Sequence, residues 1–154
     1  MELCNSQFAN PRVWGRSMWR YMYSTALRND VPFKITLITI VDAIPCAPCR
    51  KHAQVYIRNH EPPNRAGKNA FLYVYTFECS VRKRLGQSLY AISDALDDHV
   101  QGDLVDRGRK LLAHLKRALP KPCTAHGLNK LSRLQSTHAF ARYERLVEFI
   151  ADQR

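Results

Sequence analysis

Apolar side chains recur at helical spacing through several stretches of this chain, and proline and glycine breaks separate those stretches. The first is Pro11-Arg12-Val13-Trp14-Gly15-Arg16-Ser17-Met18-Trp19-Arg20-Tyr21-Met22-Tyr23, in which Trp14, Met18 and Met22 share one face with Trp19 and Tyr23 beside them. The pattern predicts an amphipathic helix that packs two tryptophans into a core; a sharper reading has part of the aromatic face lining a planar cofactor. Asn29-Asp30-Val31-Pro32 marks a helix boundary, with Asp30 the expected N-cap and Pro32 near the start of the next element. Residues 33–43 read two ways. Ile35, Ile38 and Asp42 suit a helix, whereas the β-branched run Ile35-Thr36-Leu37-Ile38-Thr39-Ile40-Val41 suits a buried strand.

Residues 50–60 predict a helix with Ala53, Tyr56 and Ile57 on one side, broken by Glu61-Pro62-Pro63-Asn64. The longest candidate is 65–86, with a rough stripe through Phe71, Val74, Tyr75, Cys79 or Glu78, Val81 and Leu85, and Gly86 as its C-cap. A short helix follows at 90–99, with Ser93-Asp94 an alternative start. Another at 104–119 is apolar at Leu104, Leu111, Leu112, Leu115 and Leu119, and Pro120-Lys121-Pro122 ends it. Residues 128–150 offer one more amphipathic helix through Phe140, Tyr143, Leu146, Val147 and Ile150.

Composition narrows the class. The 154 residues, 45% hydrophobic, suffice for one domain with a buried core and argue against disorder. Residues 1–10 carry no signal pattern, and no apolar run reaches the roughly 18 residues needed to cross a membrane. The expectation is a cytoplasmic protein without membrane association. The net charge of +11 divides into +5 over residues 1–99 and +6 over 100–154. Spread along helices in this way, it suits solvated faces better than a nucleic-acid interface.

Five cysteines, Cys4, Cys46, Cys49, Cys79 and Cys123, are too few and too scattered for a disulfide-stapled secreted domain. One pair stands out, in Cys46-Ala47-Pro48-Cys49-Arg50-Lys51-His52. If Pro48 opens a helix, both sulfurs lie at its N-terminus, where the helix dipole and neighbouring cations favour thiolate. The thiolate attacks disulfides and binds metals, so the segment is a candidate redox or metal centre.

In this order the pieces resemble the flavin-dependent sulfhydryl oxidases of the Erv/ALR family, in particular short viral members such as those of poxviruses. The resemblance covers about residues 11–90. Trp14-Gly15-Arg16 with Trp19 matches the first-helix motif, Cys46-Ala47-Pro48-Cys49-Arg50-Lys51-His52 the CxxC and its helix, and Arg58-Asn59-His60-Glu61-Pro62 the following turn. Phe77-Glu78-Cys79-Ser80-Val81-Arg82-Lys83-Arg84-Leu85-Gly86 aligns with the segment written HNxVNxxLG. Two departures are evident: Tyr23 stands where many cellular members carry histidine, and the HNxVN segment reads Glu78-Cys79-Ser80-Val81-Arg82.

The resemblance implies an all-α fold, a four-helix core with a short fifth helix holding FAD, and extra C-terminal helices. Residues 33–41 then form a second helix against their β-propensity. It implies domain bounds of 1–10 for an N-terminal segment, 11–98 for the oxidase and 99–154 for a basic helical extension. Cys46 and Cys49 become the redox pair of a thiol oxidase, Cys46 taking the mixed disulfide and Cys49 facing the flavin, with oxygen reduced to hydrogen peroxide. Gly15, Arg16, Trp19, Tyr23, Cys49, His52, Glu78, Val81 and Arg82 are the implied FAD contacts, with Arg16 and Arg82 toward the pyrophosphate. The implied partners are a protein thiol substrate or thioredoxin-like relay and a second copy of the chain; the implied site is the cytoplasm, of a host cell or in a virion if viral. No metal is implied.

Three alternatives compete. A thioredoxin-like oxidoreductase needs a βαβ pattern around the dithiol. A zinc module would draw on Cys46, Cys49 and His52 or His60. A catalytically lapsed helical scaffold would account for the altered Glu78–Arg82 segment. His99, His114, His126 and His138 show no ligand spacing and read as surface or core residues.

Overall fold

A computed structural model describes residues 11–28, 30–119 and 130–152. Among the described residues seven helices follow one another: α1 Pro11–Ala26, α2 Phe33–Asp42, α3 Ala47–Asn59, α4 Lys68–Arg84, α5 Ile92–His99, α6 Leu104–Ala118 and α7 Lys130–Asp152. The fold is all-α, and the described residues contain no strand. Cys4 and Cys123 lie outside the described residues, as do residues 1–10 and Pro120-Lys121-Pro122.

The ambiguous segment before the dithiol is helical, which removes the strand that a thioredoxin fold requires. Its six β-branched residues cost a helix about 3 kcal/mol in summed propensity. Burying Phe33, Leu37, Ile40 and Val41 returns about 6–12 kcal/mol at the usual transfer value per side chain. Those four, with Thr36, form one helical face, while Ile35 and Ile38 point outward. The Thr36 and Thr39 hydroxyls donate to the carbonyls of Pro32 and Ile35, so both are satisfied within the helix. The N-cap is Pro32 rather than the expected Asp30, whose carboxylate pairs with Arg28 instead.

Helix α1 is the centre of the molecule. From Tyr21 to Ala26 every side chain is buried, because α2, α4, α5 and α6 surround it. Its broadest contact is with α6. That helix starts at Asp103, whose carboxylate accepts from the backbone N–H groups of Val105 and Asp106, and it buries Leu104, Gly108, Leu111, Leu115 and Ala118. Gly108 is needed for close approach: a Cβ there would stand 3.1 Å from the Tyr21 ring and 3.3 Å from Ile150. Helix α7 closes the far side against α2 and α6 through Leu146 and Ile150, but Phe140, expected on its apolar face, is 51% exposed.

Helix α4 supplies the second wall of the core. Phe71, Val74, Phe77 and Glu78 are buried, whereas Cys79 is half-buried and Leu85 exposed. The buried stripe therefore runs through Glu78, not Cys79. Gly86, at φ +68°, ends the helix in the left-handed conformation that glycine adopts without steric cost.

Candidate active site

Helix α3 begins where the sequence placed it. Cys46 is the N-cap, Pro48 lies in the first turn, and the Cys49 backbone N–H donates to the Cys46 sulfur at 3.3 Å. The two cysteines form a disulfide with a Cα–Cα separation of 5.2 Å. Both are half-buried, so one edge of the pair meets solvent while the helix N-terminus backs the other. Arg50 locks the approach to this turn by donating to the Ile44 carbonyl at 2.7 Å, and burial lowers its guanidinium pKa.

Behind the disulfide lies a cavity of about 920 Å³ between α1, α3 and α4, continuing toward the residues of 87–99. Cys49 lines it and Cys46 does not. Trp14, Trp19, Phe77 and Val81 give it apolar walls, and arginines 12, 16, 20, 82 and 84 give it positive charge. Gly15 faces it too. A Cβ there would come no nearer than 3.7 Å to a protein side chain, so core packing does not require the glycine and the space it leaves belongs to the cavity. The Nε of Arg20 is buried without a hydrogen-bond partner. Arg12, Arg16 and Arg20, one turn apart on α1, also border an adjoining cavity of about 570 Å³. This stripe of arginines stands at i, i+4, i+8 spacing in the sequence, and the resemblance implies a role only for Arg16 among them.

The end of the cavity away from the dithiol is polar and buried. Glu78, 3% exposed, accepts at Oε1 from the Tyr23 hydroxyl at 2.6 Å and also from the Tyr90 hydroxyl. Its Oε2 accepts from Arg82 Nε at 3.2 Å, an ion pair one helical turn away. Arg82 in turn lies 5.0 Å from the centre of the Tyr90 ring and donates to the Ser88 carbonyl. Burial, then the bond to Glu78, pushes the Tyr23 and Tyr90 phenols well above the usual tyrosine range, so both remain protonated donors. The two positions that depart from the histidines of the resembled family thus bond to each other.

Eight of the nine expected contact residues, Gly15, Arg16, Trp19, Cys49, His52, Glu78, Val81 and Arg82, line the cavity. Tyr23 lies one layer behind, bonded to Glu78. Sequence reasoning missed Arg20, Tyr90 and His99. His99 is 4% exposed, stacks parallel on Tyr23 with 4.1 Å between ring centres, and forms part of the cavity wall. Burial first, with the Arg107 charge adding, brings its pKa down to about 4, so the ring is neutral at neutral pH. Among the described residues no three His, Cys, Asp or Glu side chains converge as a metal site, and none of the helices is long and apolar enough to cross a membrane.

No protein-family model matches the chain, and no solved structure does. Curated relatives do. The variola virus protein named probable FAD-linked sulfhydryl oxidase OPG072 is 33% identical over 73 residues, 44% of this chain and 74% of the relative. The vaccinia virus (strain Copenhagen) protein of the same name is 32% identical over the same shares. The fowlpox virus protein FPV093, named likewise, is 33% identical over 79 residues, 49% of this chain and 81% of the relative. A dithiol at a helix N-terminus, an arginine-rimmed aromatic cavity against it, and this coverage of the relatives agree: the chain belongs to the FAD-linked sulfhydryl oxidases.

Proposed function

We propose that the chain oxidises pairs of thiols in protein substrates at the Cys46–Cys49 disulfide, with FAD bound in the adjoining cavity. The single observation that carries the reading is the asymmetry of the disulfide, with Cys49 in the cavity wall and Cys46 outside it. A substrate thiolate attacks the Cys46 sulfur; the Cys46–Cys49 bond breaks and Cys49 leaves as thiolate. The second substrate thiolate attacks its partner in the mixed disulfide, the substrate disulfide forms, and Cys46 leaves as thiolate. The α3 N-terminus and the Cys49 N–H directed at the Cys46 sulfur lower the cost of both departing charges. Bound FAD supplies the two-electron acceptor that no side chain provides and that restores the disulfide, with oxygen as final acceptor and hydrogen peroxide as product.

The residues fit such a group. Trp14, Trp19 and Phe77 offer flat apolar surface for a ring system, and the arginines offer charge for a pyrophosphate. The orphaned Arg20 Nε, costly to bury alone, is accounted for by an anionic ligand. The Glu78 charge is balanced by Arg82 and its Oε1 is held by two phenol donors, so it adds no bare negative charge to the wall. The oxidase reading therefore does not need the histidine and asparagines of the HNxVN segment. We assign residues 11–98 as the oxidase unit, a protein dithiol or thioredoxin-like relay as electron donor, and a homodimer in the cytoplasm as the working state.

The test is oxygen consumption driven by a dithiol, with peroxide measured in the same cell. Wild-type protein loaded with FAD consumes oxygen and produces peroxide one for one; Cys46→Ser and Cys49→Ser do neither. Full activity in both single variants would refute the assignment.

A further inference from the structure

Helix α5 ends at His99, which lines the cavity, and α6 carries Arg107 against it. Arg107 acts as a clamp. Its Nη1 donates to the Arg20 carbonyl, to Ser24 Oγ and to His99 Nδ1 at 2.9 Å, and its Nη2 donates to the Asp98 carbonyl. One guanidinium thus binds α1, α5 and α6 to one another behind the cavity wall.

The clamp also fixes a proton. Arginine has donors only, so His99 Nδ1 must accept, and in the neutral ring the proton then resides on Nε2. The Nε2–H has no acceptor within hydrogen-bond distance among the described residues; the nearest carboxylate oxygen, on Asp98, is 3.6 Å away. Stacking on Tyr23, itself held by Glu78, prevents the ring from swinging out to find one. A donor oriented in this way in the wall of a ligand cavity is available to an acceptor on a bound ligand.

We infer that His99 is a cofactor-binding residue of this oxidase, donating from Nε2 to bound FAD, and that Arg107 is the positioning residue that sets its tautomer. The inference rests on the reading of the cavity as the FAD site. It gives α6 a function: through Arg107 it orients a residue of the cavity wall.

Two measurements test it, neither relying on turnover. Apoprotein is titrated with FAD, following quenching of flavin fluorescence and the positions of the visible bands. His99→Leu, with fold checked by circular dichroism, should bind about tenfold more weakly and shift the bands, and His99→Gln, which retains an N–H donor, should recover most of the loss. Wild-type affinity and an unshifted spectrum in His99→Leu would overturn the inference. Should His99→Leu fail to fold, wild-type protein labelled with nitrogen-15 in histidine decides. The long-range proton–nitrogen spectrum should show the Nε2–H tautomer at His99 and a change in its shift at FAD saturation. The other tautomer, or signals that ignore saturating FAD, would overturn the inference while leaving the oxidase reading intact. Wild-type protein that takes up no FAD would overturn both.

Discussion

The two ends of the cavity are built by opposite means. At the dithiol end, residues 46–52 suffice: a cysteine N-cap, a proline in the first turn and a second cysteine one turn on set the geometry locally, half in solvent. At the carboxylate end, Tyr23, Glu78, Tyr90 and His99 come from α1, α4, the loop after it and α5, and they work only once the fold has assembled. A local device can be altered at a smaller cost to the fold than a distributed one. Disulfide exchange should therefore depend on the first end, and stability and cofactor affinity on the second.

The largest test of that division is Glu78→Leu. It removes the acceptor for two buried phenols and for Arg82, and should destabilise the protein by about 3–5 kcal/mol in a urea titration. Glu78→Gln, which keeps an acceptor oxygen, should lose less than half as much. Cys49→Ser, by contrast, opens a loop of sequence separation 3, and its loss should cost at most about 2 kcal/mol by chain entropy while ending turnover. Equal stability losses in Cys49→Ser and Glu78→Leu would erase the contrast.

A smaller effect is carried by His99. Its pKa is about 4 in the folded chain against 6.5 when free, so between those values the unfolded chain binds the proton and the folded one does not. Stability is therefore full above pH 6.5 and falls as pH drops toward about 4. The denaturation midpoint of wild type should decline through that window, and His99→Gln should decline less. The smallest effect belongs to Asp103→Ala, which removes the cap of α6 and should cost about 1 kcal/mol, with Asp103→Asn near neutral. Dithiol exchange at Cys46, measured with a chromogenic disulfide, should be unchanged by it.

What the sequence disclosed follows the same division. The N-terminus of α3 was readable because all its determinants are adjacent in the chain. Helix α1 was readable because two tryptophans and two methionines mark one face. Helix α2 was not decided by its own residues: helical spacing and β-propensity pointed different ways, and burial of Phe33, Leu37, Ile40 and Val41 favours the helix. Resemblance, not periodicity, gave the right answer there. On α4 the apolar pattern favoured Cys79 as the core residue, because an acid rarely enters a core. Glu78 does so only because Tyr23, Tyr90 and Arg82 meet it, and none of those pairings is visible from spacing. His99 was hidden for the same reason: its significance comes from Arg107 and Tyr23, which the fold brings to it.

The most direct measurement of the central claim is the visible absorption spectrum of FAD-loaded protein under anaerobic conditions, before and after a dithiol. In wild-type protein the flavin bands should bleach with the dithiol and return when oxygen is admitted, and in Cys49→Ser they should stay unbleached. Bands that bleach equally in Cys49→Ser, or a protein that remains colourless after incubation with FAD, would contradict the account.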